Sequence, residues 1–271
     1  KMDKKIVQQC ALLLPIIRQK KPLIHHITNM VTANDNANVV LAIGASPVMA
    51  LSKFEVEEMA AQADSLVLNL GTLSPDLVES CRLAGKVANK KGIPVILDPV
   101  GVGATRFRTN AAKEILSEID VTIIRGNVGE VSALLGDSRF IKGVDAKSTN
   151  ISISDLARKA SQCYGTIVAV TGKVDVVSNG IEVFLVYNGH PLLKVLTGTG
   201  CMASSLCATF ASVETDHLTS TIAALGFFGV CAEIAARKVE GPGLFHQVLF
   251  DVIYNMDVQT LASSLHIEVK S

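Results

Sequence analysis

Residues 94–103 read Pro94-Val-Ile-Leu-Asp98-Pro-Val-Gly-Val-Gly103, a short, continuously apolar run that stops at a carboxylate and then turns through a glycine-rich loop. A strand wetted on one face would alternate apolar and polar residues. Val95-Ile-Leu offers no polar position, so the segment belongs in a sheet covered on both faces. The pattern repeats outward along the chain. Residues 23–27, 65–69, 121–125 and 166–170 are further β-rich runs, and Leu66-Val-Leu and Ile167-Val-Ala-Val are as apolar as the first. Helical patterns separate them at 31–43, 54–61, 74–90, 110–117 and 153–163. Such alternation requires crossover connections and hence an α/β fold with a mostly parallel central sheet between two helical layers. Past Thr171 the pattern changes. Runs 174–178 and 181–186 flank Asn179-Gly180, a hairpin signal, so antiparallel edge strands are expected there. Helices at 201–213, 218–237 and 244–265 follow, the last two separated by Gly241-Pro-Gly. No repeat or linker divides the sequence, which reads as one domain over residues 1–271.

Composition narrows the function. Of the 271 residues, 49% are hydrophobic, 18% charged and 4% aromatic, with no tryptophan, which describes a large aliphatic core. The 25 basic residues balance the 25 acidic ones, leaving no electrostatic footprint for nucleic acid or an anionic membrane. A mean hydropathy of +0.39 directs attention to the uncharged runs 195–213 and 218–232. The first opens with Val-Leu-Thr-Gly-Thr-Gly and carries Ser204, Ser205 and Thr209; the second is too short to span and holds Gly226. Both read as helices buried in protein, and no membrane association is expected. The apolar run 10–17 near the N-terminus is broken by Pro15 and lacks a cleavage site, so it reads as an amphipathic first helix of a cytoplasmic protein. The six cysteines form no C-x-x-C pair and read mostly as small buried hydrophobes.

Open parallel sheets bind ligands beyond the carboxyl ends of their strands, so the residues after each apolar run matter most. They are Asn69-Leu-Gly-Thr72, Asp98-Pro-Val-Gly-Val-Gly103, Arg125-Gly-Asn127-Val-Gly-Glu130 and Thr171-Gly172. Asn, Asp, Arg, Glu and Thr converging on one rim imply a site for an anion and a metal. Taken alone, Asn127-Val-Gly-Glu130 reads first as a helix capping box. The sharpest feature is Gly198-Thr199-Gly200-Cys201 at the start of a long uncharged helix, where glycines let an anion approach the backbone N–H groups and the positive end of the helix dipole. An isolated G-x-G is also a common turn. A dinucleotide fingerprint lacks its acidic partner, and Gly172-Lys173-Val174 fails as a P-loop. His25 and His26 are adjacent on a strand, face opposite sides and read as structural.

Together, the strand-terminal Asp98, the Asn127-x-x-Glu130 pair and the late Gly198-x-Gly200 resemble the ribokinase-like superfamily. Ile27-Thr-Asn29, Gly44-Ala-Ser-Pro-Val-Met49, Leu68-Asn-Leu-Gly-Thr72, Leu97-Asp-Pro-Val-Gly101-Val-Gly-Ala-Thr105, Arg125-Gly-Asn127 and Gly198-Thr-Gly-Cys201 narrow the resemblance to the hydroxyethylthiazole kinase family. That resemblance implies a three-layer ribokinase-like fold and transfer of the ATP γ-phosphate to the hydroxyl of a thiazole alcohol. It implies Arg125, Thr171 and Asn127 at ATP, and Asp98 and Glu130 near Mg2+, directly or through water. It further implies Asn29, Met49 and Gly198 at the thiazole, and a homotrimer with sites between subunits. Met49 outside this context is an ordinary core methionine. Gly198, Thr199 and Gly200 would form the anion hole. Cys201 stands where many superfamily members carry an aspartate base; a helix start can lower a thiol's pKa, and Cys201 is expected to position the hydroxyl and take its proton late if at all. A kinase of pyrimidine or pyridine alcohols, an ATP-dependent hydrate dehydratase and a non-catalytic nucleotide sensor are the alternatives.

Overall fold

The structure, a computed structural model, describes residues 4–136 and 152–270. Its centre is a nine-stranded sheet in the order β2-β1-β3-β4-β5-β6-β7-β8-β9. The strands are β1 (Leu23–Ile27), β2 (Ser46–Val48), β3 (Ser65–Asn69), β4 (Val95–Asp98), β5 (Ile123–Asn127), β6 (Ile167–Thr171), β7 (Asp175–Ser178), β8 (Val183–Val186) and β9 (Ile267–Val269). Strands β1 to β6 pair in parallel, and β7, β8 and β9 join antiparallel.

Period two in the strands sorts the core into two layers. Ile24, Val67, Ile96, Ile123 and Ala169 face one apolar cluster, while Ile27, Leu66, Leu68, Leu97, Ile124 and Val168 face the other. The first layer holds α1 (Lys4–Lys20), α2 (Ala33–Ile43), α8 (Thr199–Ala211), α9 (His217–Ala236), α10 (Pro242–Asn255) and α11 (Val258–Ser264); the second holds α3 (Val56–Gln62), α4 (Pro75–Lys91), α5 (Arg106–Glu118), α6 (Val128–Leu134) and α7 (Ile153–Tyr164). Local chemistry sets the helix ends. In α4, Ser74 accepts from Leu77 N, Pro75 occupies the first turn, and Gly92 closes the helix at φ 77°.

Helix α9 is long and apolar enough to cross a membrane, but it is almost entirely buried between α1, α8 and α10. The two ends of the chain meet here. Cys10 on α1 lies 3.9 Å from Thr219 O on α9, and the Arg18 guanidinium donates to Met256, Ile253 and Tyr254 carbonyls at the end of α10.

Several elements differ from expectation. The fifth strand runs two residues later than 121–125, because Arg125, Gly126 and Asn127 continue the ladder opposite Ala169, Val170 and Thr171. Strand β2, unanticipated, is three residues long and contains Pro47, which an edge strand tolerates. The expected 244–265 helix is two helices, since the Asp257 side chain caps a new start by accepting from Thr260 N. Residues 267–269 then return as β9 against β8.

Candidate functional site

Continuing the period-two register past the core predicts where the rim side chains point. Asn69 lies two residues beyond Val67, Asp98 beyond Ile96, Arg125 beyond Ile123 and Thr171 beyond Ala169, so all lie on the face covered by α8. They are joined in the spatial order of their strands. Asn29, just past β1, donates to Asn69 Oδ1 at 2.8 Å; Asn69 Nδ2 donates to Asp98 Oδ2 at 3.0 Å. The same Asp98 oxygen lies 3.5 Å from Arg125 Nη1, and Arg125 Nη2 donates to Thr171 Oγ1 at 2.6 Å.

Helix α8 starts over this row. Gly198 is its N-cap at φ 87°, a left-handed conformation that favours glycine, and no side chain caps the first turn. A Cβ on Gly198 would meet Thr32 Cγ2 at 2.7 Å, and one on Gly200 would meet Arg125 Nη1 at 2.8 Å. The helix N-terminus therefore presents amide groups to a space already edged by a guanidinium, an arrangement suited to an anion. Thr199 and Gly200 line a cavity of about 610 Å³ with Arg125 and Thr171 at one end and Leu225 and Phe228 elsewhere on its wall. Cys201 faces the other way. Its buried Sγ accepts from Asn69 Nδ2 at 3.2 Å and Asn29 Nδ2 at 3.5 Å. Burial, then the nearby Asp98 carboxylate, push this thiol up despite those donors.

Asp98 is the most constrained carboxylate of the site. Ser204 donates to Oδ2 at 2.8 Å, in addition to Asn69, while buried Oδ1 has no hydrogen-bond partner among the described residues. Burial pushes its pKa up to about 6, against the pull of Arg125. Glu130 is already engaged: Oε1 accepts from Gly101 N and Oε2 from Asn127 N, each at 3.0 Å. Asn127 Oδ1 in turn accepts from Glu130 N, completing the capping box.

The expected site residues thus fall into two groups. Asn29, Asp98, Arg125, Thr171 and the turn Gly198–Cys201 converge around the α8 N-terminus. Asn127 and Glu130 stand at the rim as a helix cap, and half-buried Met49 follows edge strand β2. His25 Nε2 lies 2.8 Å from Ala50 O, whereas His26 Nε2 lies 3.1 Å from Ser205 Oγ on α8, so the two rings do face opposite layers. Two residues of the site were missed. Asn69 was visible on the rim but without a role, and Ser204 is signalled by its helical spacing of three from Cys201.

The family model for the hydroxyethylthiazole kinase family matches residues 14–259. A hydroxyethylthiazole kinase of Thermoanaerobacter pseudethanolicus is 47% identical over 258 residues, covering 94% of this chain and 98% of that one. Among solved structures, a hydroxyethylthiazole kinase protein of Pyrococcus horikoshii superposes with a TM-score of 0.90 at 41% identity, covering 97% and 99% of the two chains. A ribokinase-like superfamily protein of Enterococcus faecalis, at 11% identity and a TM-score of 0.65 over 93% and 94% of the chains, shares the fold.

Proposed function

The chain belongs to the hydroxyethylthiazole kinase family, and from that premise we propose that it transfers the γ-phosphate of ATP to the primary hydroxyl of 4-methyl-5-(2-hydroxyethyl)thiazole. One observation carries the reading: the turn Gly198–Cys201 is a shared wall. Thr199 and Gly200 line the 610 Å³ cavity, while Cys201 is held by Asn29 and Asn69 on the opposite side. Donor and acceptor would meet across the start of α8.

Phosphoryl transfer through a loose transition state needs positioning and charge neutralisation more than covalent help. Arg125 and the first-turn amides of α8 would hold the oxygens of the transferring group, with Thr171 fixing the Arg125 fork. The acceptor would lie beside Asn29, Gly198 and Met49, its hydroxyl oriented at Cys201. A buried thiol with a raised pKa keeps its proton, so Cys201 acts by orientation and the hydroxyl proton passes late to an oxygen of the transferred phosphoryl group.

The free Oδ1 of Asp98 fits Mg2+, which takes one or two carboxylate oxygens and completes its shell with water and substrate phosphates. Asp98 would hold the ion directly, with Glu130 behind it because both its oxygens are engaged. When bound, the ion would neutralise phosphate charge.

A homotrimer with sites between subunits belongs to the same proposal. It is supported by bare apolar side chains next to the acceptor residues: Met30 and Val31, 81% and 65% exposed, follow Asn29, and Phe54, 87% exposed, lies shortly after Met49. Cytoplasmic operation is proposed as well, in keeping with the absence of disulfides among the described cysteines and with ATP as donor. The test is ADP formation with a panel of thiazole, pyrimidine and pyridine alcohols. Turnover with the thiazole alcohol is expected; turnover confined to pyridine alcohols would replace this reading by the pyridine-alcohol alternative.

A further inference from the structure

One half-buried carboxylate in the donor cavity has no part in the chemistry above. Asp175 opens β7 and lines the cavity together with Arg125, Thr171 and Tyr187. It lies two residues before Val177, which faces the α8 and α9 layer, so its side chain points into the same layer as Arg125 and Thr171. Oδ1 accepts from Gly172 N at 2.8 Å, closing the turn between β6 and β7; no bond to Oδ2 is present among the described residues.

The sheet register locates this carboxylate along the cavity. Val170 pairs with Val176, so one step further Thr171 stands opposite Asp175, and Asp175 pairs with Val186, the neighbour of Tyr187. Thr171, Asp175 and the Val186–Tyr187 junction are therefore successive positions across the rim, each about 5 Å from the next. Thr171 belongs to the phosphate end, being bonded to Arg125. At the other end α9 supplies the wall: its Gly229 packs on Asn188, just past β8, and its Leu225 and Phe228 line the cavity, while the Tyr187 ring is turned to the opposite layer, where it stacks on His266 and its hydroxyl donates to Glu268 at 3.2 Å. A nucleotide laid along this rim with its phosphates at Arg125 and its base toward Leu225 and Phe228 brings its sugar over Asp175. A carboxylate repels phosphate, but it is a strong acceptor for two adjacent hydroxyl groups, as the acidic residue of dinucleotide sites is for a ribose.

We propose that Asp175 is a specificity-determining residue that reads the ribose hydroxyls of the donor nucleotide. This rests on the kinase reading above and adds what that reading lacks, a reason for the donor to be a ribonucleotide rather than any polyphosphate. Oδ1 keeps the turn closed while Oδ2 accepts from the sugar.

The test compares ATP, 2′-deoxy-ATP and 3′-deoxy-ATP as donors to the thiazole alcohol for the wild-type chain and D175N, whose amide oxygen can still accept from Gly172. The wild type should favour ATP over at least one deoxy donor by roughly tenfold or more in kcat/KM, the size of a hydrogen bond to a charged group. In D175N this preference should collapse, chiefly through the KM of ATP. Equal use of all three donors by the wild type, or an equal loss with all three in D175N, would overturn the proposal. Calorimetric titration with ADP, 2′-deoxy-ADP and 3′-deoxy-ADP reads the same preference without turnover. A chain that binds ADP selectively but phosphorylates no thiazole alcohol would refute the kinase reading and leave Asp175 supported.

Discussion

Gly200 and Arg125 are packed so closely that a single methyl group on the glycine would lie 2.8 Å from the guanidinium Nη1. The helix start and the cation thus present one surface, with no room between them for a side chain at position 200. Gly200→Ala should displace the Arg125 fork from Thr171 and from the anion it faces. We expect kcat to fall on the order of 10²-fold, as when a preorganised donor is lost from a charge-stabilising site, with far-UV circular dichroism unchanged. Steady-state kinetics checks this; a kcat within twofold of wild type would show that the contact has no part in catalysis.

Cys201→Ser keeps a small polar group between the Asn29 and Asn69 amides but shortens the reach of its terminal atom. Because the thiol is pushed up by burial and stays protonated, the variant should lose about tenfold in kcat through poorer orientation. The pH–rate profile should keep its shape, and stability should change by less than about 1 kcal/mol. A profile that loses a limb would assign Cys201 a titrating role, and an unchanged kcat would remove it from the mechanism.

Removal of divalent metal with a chelator should abolish turnover, and Mg2+ should restore it. Asp98→Asn retains the shape of the side chain but removes the anionic Oδ1, so the Mg2+ concentration for half-maximal rate should rise by at least tenfold. Mg2+ titrations of rate and of ADP binding measure this, and an unaltered requirement would place the ion elsewhere.

His26 should make the stability of the protein sensitive to acid. Burial pushes its pKa down to about 4 from an ordinary 6.5. Above pH 6.5 both folded and unfolded states hold a neutral ring and the stability is fully present; between about pH 6.5 and 4 only the unfolded state takes up the proton, and stability is lost as pH falls. The full loss is roughly 3 kcal/mol. Asp98 and Asp175, whose pKa values are raised to about 6, have the opposite slope, so the comparison must be differential. Urea midpoints at pH 7.5 and 5 should differ less for His26→Gln than for the wild type; parallel shifts would contradict this.

Phe54→Asp should convert a trimer to smaller species if the bare apolar side chains beside the acceptor residues are covered by a second copy of the chain. Light scattering should give three times the chain mass of 28.7 kDa for the wild type and less for the variant. A wild-type monomer would leave the proposed site without a neighbour.

The apolar strand runs made the layers legible, because continuous burial leaves no other reading of 66–68 or 95–97. The rim was legible as a set of residue types, since Asp98 and Arg125 end or follow such runs. What was not legible was hidden for physical reasons. Strand β5 extends through polar residues because its end lies at the site, so a polarity boundary stopped the strand two residues early. Asn127 and Glu130 satisfy a helix start with the same atoms that a ligand would use, and only hydrogen-bond geometry separates the two uses. Ser204 is one hydroxyl among several on an uncharged helix, and its bond to Asp98 joins residues that are far apart in sequence.

The docking of α1 onto α9 and α10 has a consequence for biosynthesis. Arg18 finds its carbonyl partners 235 to 238 residues later, and Cys10 meets Thr219 after 209 residues. A chain emerging from the ribosome N-terminus first carries the apolar face of α1 uncovered until α9 and α10 have been made. Helix α1 is thus made long before its partners and is buried only with them. Closure of that layer waits for α9, and nascent chains stopped before α9 would expose an aggregation-prone helix.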